Sequence, residues 1–169
     1  MNSYFEIPKL GELYIDKVLF DSSYPILFTL SDRNNNIYIC VCHHHDSDCS
    51  KWLISRTTPS EVIALLNNKL SMRQIFLSHA DVRYSITKDN QGCIIEENVE
   101  SDWEQNSKTL PDDEYMDADE GEFSDIIEHY LENTNDSLDY AYNTLSESER
   151  LIVKKYVLSK AGLLTPLGA

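Results

Sequence analysis

The chain has 169 residues, enough for one domain with its own hydrophobic core and at most a small appendage, so folding needs no covalent staple. A formal net charge of −15 argues against direct nucleic-acid binding through phosphate neutralisation. The opening MNSYFEIPKLGELYI has neither a basic start nor an apolar run, and no stretch approaches the roughly 18 apolar residues of a membrane span. A cytoplasmic protein with no membrane association is expected, with its 4 cysteines reduced rather than paired in disulfides.

The charge is concentrated. Residues 1–98 carry 9 Lys+Arg against 12 Asp+Glu, whereas residues 99–139 carry Lys108 alone against 15 acids. Residues 140–169 return to a net of +2. One segment therefore holds nearly all the excess, and such a segment suits a basic surface on a partner protein.

In chain order, LYIDKVLFD (13–21) reads as a strand, followed by the turn SSYP. PILFTLS (25–31) and NIYICVC (36–42), joined by the polar cluster DRNN, read as an antiparallel hairpin. KWLISRT (51–57) reads as a third strand reached through the loop HHHDSDCS. Thr58, Pro59 and Glu61 give a strong helix start: an N-cap, a proline at the first helical position and a capping-box acid. Val62, Ile63, Leu65 and Leu66 continue it at helical spacing. Ser71 with Gln74 signals a second short helix through Ile75, Phe76 and Leu77.

VRYSITK (82–88), the turn DNQG and CIIEEN (93–98) read as a second hairpin. Its first arm alternates Val82, Tyr84 and Ile86 with Arg83, Ser85 and Thr87, the pattern of a sheet with one wet face. The acidic stretch 99–123 has no periodicity but carries Trp103, Leu110, Tyr115, Met116 and Phe123, apolar spots that purely solvated linkers lack. Either it lies against the domain through these residues, or it is an arm that orders on binding. Ser124 is placed to cap DIIEHYLEN, with Ile127, Tyr130 and Leu131 on one side. SLDYAYNTL (137–145) and the Ser146/Glu149 capping box before RLIVKKYVLSKAG suggest two more helices, ended by Gly162.

The succession YPILF (24–28), IYICV (37–41), WLIS (52–55), VIALL (62–66) and SMRQIF (71–76) resembles a family of small bacterial and phage proteins of unknown function, over about residues 13–98 and on towards 123. The resemblance implies an α+β domain in a bacterial or phage cytosol; it implies no activity and no catalytic residue. The expected fold is thus α+β: an antiparallel sheet of hairpins with a short helical pair, and C-terminal helices. Residues 1–98 form the core domain, 99–123 the acidic segment, and 124–169 a helical region packed on the core.

The densest chemistry lies in CVCHHHDSDC (40–49). Cys42, His43, His45 and Cys49 are the candidate metal ligands, with zinc the fitting ion. The bland reading is a polar hairpin tip. Paired cysteines of a structural zinc knuckle are spaced C-x₂₋₄-C. Here the spacing is C-x-C, no second pair follows, and a regular strand cannot converge three consecutive histidines. No cofactor is therefore assigned. The chain has no G-x-S-x-G elbow, no glycine-rich phosphate loop and no H-E-x-x-H helix, so no catalytic residue is assigned and a non-enzymatic role is expected. PDDEYMDADEGE departs from calcium-loop spacing, and its bland reading is a solvated acidic face.

The favoured reading is non-catalytic binding. Trp103, Asp112, Asp113, Glu114, Tyr115, Asp117, Asp119, Glu120 and Phe123 would engage a basic protein, such as a nuclease or toxin, by imitating a nucleic-acid backbone. An antitoxin, an immunity protein or a phage anti-defence protein would act in this way. The alternative is a metal-binding or enzymatic role centred on 40–49. The C-terminal helices offer a possible homodimer contact through Ile152, Tyr156 and Leu163; their bland reading is cover for the sheet.

Overall fold

The structure is a computed structural model that describes residues 2–79, 82–99 and 110–133. Seven antiparallel strands follow one another across a single sheet in chain order: β1 (Phe5–Ile7), β2 (Gly11–Asp21), β3 (Pro25–Ser31), β4 (Ile37–His45), β5 (Cys49–Thr57), β6 (Arg83–Asp89) and β7 (Ile94–Val99). Helices α1 (Pro59–Leu66) and α2 (Met72–Ser78) connect β5 to β6, and α3 (Ser124–Glu132) follows the acidic segment. The fold is mixed α+β, as expected. The helices expected over 137–145 and through RLIVKKYVLSKAG (150–162), with the proposed dimer contact, lie outside the described residues. Among the described residues no helix is long and apolar enough to cross a membrane.

The sheet buries both faces. Alternation sends Leu27, Ile39 and Leu53 to one side, where they meet Val62, Ile63, Leu65 and Leu66 of α1, Ile75 and Phe76 of α2, and Tyr130 of α3. Phe28, Leu30, Cys40, Trp52, Ile54 and Ile86 point to the other side, where Phe5, Ile7 and Leu13 complete a second core. That second core exists because the sheet curls. Phe5 sits edge-on to Trp52 at 6.1 Å, and Lys88 Nζ of β6 donates to the Tyr4 carbonyl at 2.6 Å. The same ammonium lies over the Tyr4 and Phe5 rings at 4.7 and 4.3 Å, so the first strand is fastened to the sixth.

Local signals account for the helix starts. Thr58 Oγ1 accepts from the Glu61 amide while Glu61 Oε2 accepts from the Thr58 amide at 2.9 Å, a complete capping box. Ser71 and Gln74 repeat it for α2. Glu61 is nearly buried at 8% exposure, and His79 Nε2, beyond the end of α2, lies 2.8 Å from its Oε2. This pair fastens the end of one helix to the start of the other.

Three expectations are corrected, and one strand is added. β1 was not anticipated. The three histidines are not loop: β4 runs through His45, and the turn is only Asp46-Ser47-Asp48. The alternate face of β6 is not wet, because Arg83 and Ser85 are 1% and 2% exposed beneath the helical layer. Ser124 is not the cap of α3; Phe123 holds that position, and Ser124 Oγ donates instead to the Gly121 carbonyl at 2.7 Å.

Candidate partner-binding surface and the Cys/His hairpin

The acidic segment between 110 and 123 is a strap laid over α1 and α2. Leu110 and Pro111 are buried, and Met116 and Phe123 pack against the helical core. These side chains have no regular spacing because the segment is neither helix nor strand; each turns inward where the helices leave room. Polar clasps fix the strap between them. Asn68 donates Nδ2 to the Ala118 carbonyl and accepts the Ala118 amide, both at 3.0 Å, as a strand neighbour would. Arg73 Nε donates to the Pro111 carbonyl at 2.8 Å. Ser71, whose hydroxyl oxygen already caps α2, donates its proton to Asp113 at 2.5 Å.

With the apolar residues inside, the carboxylates are outside. Asp112, Asp113, Glu114, Asp117, Asp119, Glu120, Glu122 and Asp125 are all exposed, and residues 110–133 contain no lysine or arginine. Of the nine partner-binding candidates, Asp113 is engaged by Ser71, Phe123 faces inward, and Trp103 lies outside the described residues. Tyr115 stands out from the strap at 54% exposure.

Beside Tyr115 the strap leaves a groove of about 400 Å³ against β4 and the helices. Its deeper wall is apolar: Val41, Leu65, Leu110, Met72 and Met116. Tyr115, Asp112 and Glu114 form the exposed rim, and His43 closes the end nearest the hairpin. Sequence reading found the rim through its charge but missed the groove, which exists only where residues 41, 65, 72 and 110–116 meet.

The Cys/His hairpin separates its ligand-type side chains. The β4–β5 register shifts between Cys42 and His44, and His43, at that bulge, lines the groove on the helical side. Cys42 lies on the other face, where its Sγ donates to the His44 carbonyl at 3.5 Å. His45 stacks on Tyr24 at 4.5 Å. Among the described residues no group of three or more His, Cys, Asp or Glu side chains is placed to hold a metal ion. Asp46 instead organises the turn. Its carboxylate meets His44 Nε2 at 2.8 Å and accepts the Cys49 and Asp48 amides at 2.9 and 2.8 Å. Those donors, His44 foremost, hold its carboxyl well below the usual range. Burial pushes the Cys40 thiol far up, so this cysteine is a small core residue.

A second polar constellation joins α3 to the sheet. A bulge in β2 frees Asp16 from pairing between Ile15 and Lys17. Asp16 Oδ2 accepts the Tyr130 hydroxyl at 2.7 Å, and His129 Nε2 lies 3.4 Å from Oδ1. Thr29 Oγ1 is 2.5 Å from the Tyr130 oxygen and accepts the Lys17 amide at 3.1 Å. Because the Tyr130 proton goes to the carboxylate, Thr29 supplies the proton between the two hydroxyls. Burial raises the Tyr130 phenol well above its ordinary value, so it stays a neutral donor. These groups border an open polar depression with Arg56 and Asn36, but Arg56 donates to Asn36 Oδ1 at 2.9 Å. Asp16, Tyr130 and Thr29 spend their hydrogen bonds holding α3 in place, and no nucleophile–base pair is formed there.

Comparison of the chain with family models, curated proteins and solved structures gives no match. The functional reading therefore rests on the geometry above.

Proposed function

We propose that the chain is a non-catalytic protein-binding module whose acidic strap engages a basic surface of a nucleic-acid-handling partner and blocks it. An antitoxin, an immunity protein or a phage inhibitor of a defence nuclease works in this manner. One observation carries the reading: a run of exposed carboxylates with no intervening cation is anchored by Asn68, Ser71 and Arg73 rather than left to move freely. Anchoring lowers the ordering cost of association, and a single-sign field accelerates encounter with a basic surface.

The test is a tag-free pull-down from native lysate, washed at low and high salt. It is run in parallel with a variant carrying D112N, E114Q, D117N, D119N and E120Q; Asp113 is kept because it bonds Ser71. A basic nucleic-acid-binding protein retained at low salt, released at high salt and lost with the variant is the expected result. A partner held equally by the variant overturns the proposal.

A further inference from the structure

The groove beside the strap adds a second kind of recognition to the charge. We propose that it receives an apolar anchor, a leucine- or methionine-like side chain, from a partner segment whose flanking residues are lysine or arginine. The inference rests on the binding role proposed above and specifies the chemistry of the segment bound.

Four observations on the same surface support it. The inner wall is built from Val41, Leu65, Leu110, Met72 and Met116, with no charged group among them. At about 400 Å³ it lies within the range of roughly 300–1,000 Å³ in which proteins seat small ligands. Two of the chain's 3 methionines are in this wall, and methionine's unbranched, polarisable side chain adapts to whatever apolar group enters. The rim supplies the complement to a cation: Asp112 and Glu114 are exposed on the same rim as Tyr115, whose ring is 54% exposed and stands free enough to cover an incoming side chain. A wholly apolar partner would leave those carboxylates desolvated without compensation, and a wholly cationic one would leave the wall wet. A basic segment with a central apolar residue satisfies both.

The experiment uses the full chain labelled with ¹³C at its methionine methyls, titrated with two synthetic peptides at low salt. One is Lys-Arg-Lys-Leu-Leu-Lys-Arg-Lys; in the other, serine replaces both leucines. The leucine peptide is expected to shift the Met72 and Met116 signals to saturation. It should bind about tenfold or more tightly than the serine peptide, the increment expected for burying a leucine side chain. Tyr115→Ala, a change at an exposed position, should erase most of the leucine peptide's advantage over the serine peptide. Equal, salt-sensitive binding of both peptides with unmoved Met72 and Met116 signals overturns the groove and leaves the acidic surface standing. No binding of either peptide overturns both.

Discussion

Tyr130 in α3 donates its hydroxyl proton to Asp16 in the bulge of β2, joining two residues 114 positions apart at 2.7 Å. The contact does for α3 what no local signal does, since that helix has no side-chain cap at its start. Tyr130→Phe keeps the ring in the core and removes the hydroxyl. It leaves Asp16 short of a donor, while the Thr29 hydroxyl keeps the Lys17 carbonyl at 3.4 Å as an acceptor, so a loss of about 1–3 kcal/mol is expected. Denaturant unfolding should show a lower midpoint with an unchanged slope; an unchanged midpoint would mean that water replaces the hydroxyl without cost.

Asn68 holds the strap through both atoms of its amide while its own backbone sits at φ 56°. Asn68→Gly tolerates that backbone and removes only the clasp, with an expected cost of about 1–2 kcal/mol for two neutral hydrogen bonds. Limited proteolysis should then cut first between residues 112 and 120. Cleavage at the wild-type rate would show that Leu110, Phe123 and the Ser71 and Arg73 clasps hold the strap without Asn68.

Among the described residues, two depressed carboxyls predict where acid acts first. Asp46 is held down by His44 and the turn amides. For Asp32, burial pushes the carboxyl up, but donors from Asn36, Asn34 and Tyr38 outweigh it and hold the value below normal. A group depressed in the folded state stabilises it above the unfolded value, here 3.8, and loses that contribution as pH falls further. Both hairpin turns should therefore be intact at neutral pH and loosen only below about pH 4. Amide signals of Asn34, Asn36, Asp48 and Cys49, followed by NMR from pH 6 to pH 2, check this. Loosening already complete at pH 5 would show that the carboxylates do not hold the turns.

The cysteines should label in an order set by burial. Cys93 is exposed, Cys42 and Cys49 are half-buried with thiols pushed up mainly by desolvation, and Cys40 is enclosed. Timed alkylation read by mass spectrometry should modify Cys93 first and Cys40 only on unfolding. Early modification of Cys40 would contradict its place in the second core.

Much of the architecture was legible because its signals are local. The capping boxes of Thr58 with Glu61 and Ser71 with Gln74 each span four residues and need no knowledge of the rest of the chain. The strands from β2 to β7 could be read from side-chain pattern and the turn residues between them. β1 could not, because Phe5–Ile7 is three residues long and owes its existence to pairing with Gly11, Glu12 and Leu13 and to packing on Trp52. The alternation of β6 was read correctly but interpreted wrongly: Arg83 and Ser85 are polar yet covered by helices, which periodicity alone does not reveal. In the candidate site, the acids were visible as composition, while their clasps at Asn68 and Ser71 lie 50 and 42 residues away. Residues 40–49 are dense in ligand-type side chains along the sequence, but among the described residues no three of them are placed to hold a metal ion. Cys42 packs against the second core while His43, its neighbour in the strand, lines the groove, as strand alternation requires.

The bond from Lys88 to the Tyr4 carbonyl also bears on the order of assembly. Each strand from β2 to β7 pairs with its predecessor in the chain, but closure of the curl joins positions 84 residues apart. Chain-closure entropy favours the short-range pairings early and delays the long one. During synthesis the first strand emerges long before the lysine that fastens it. Until Lys88 arrives, Phe5 and Trp52 lack their final enclosure, and a nascent chain at that stage presents an aromatic surface suited to chaperones or to misassociation.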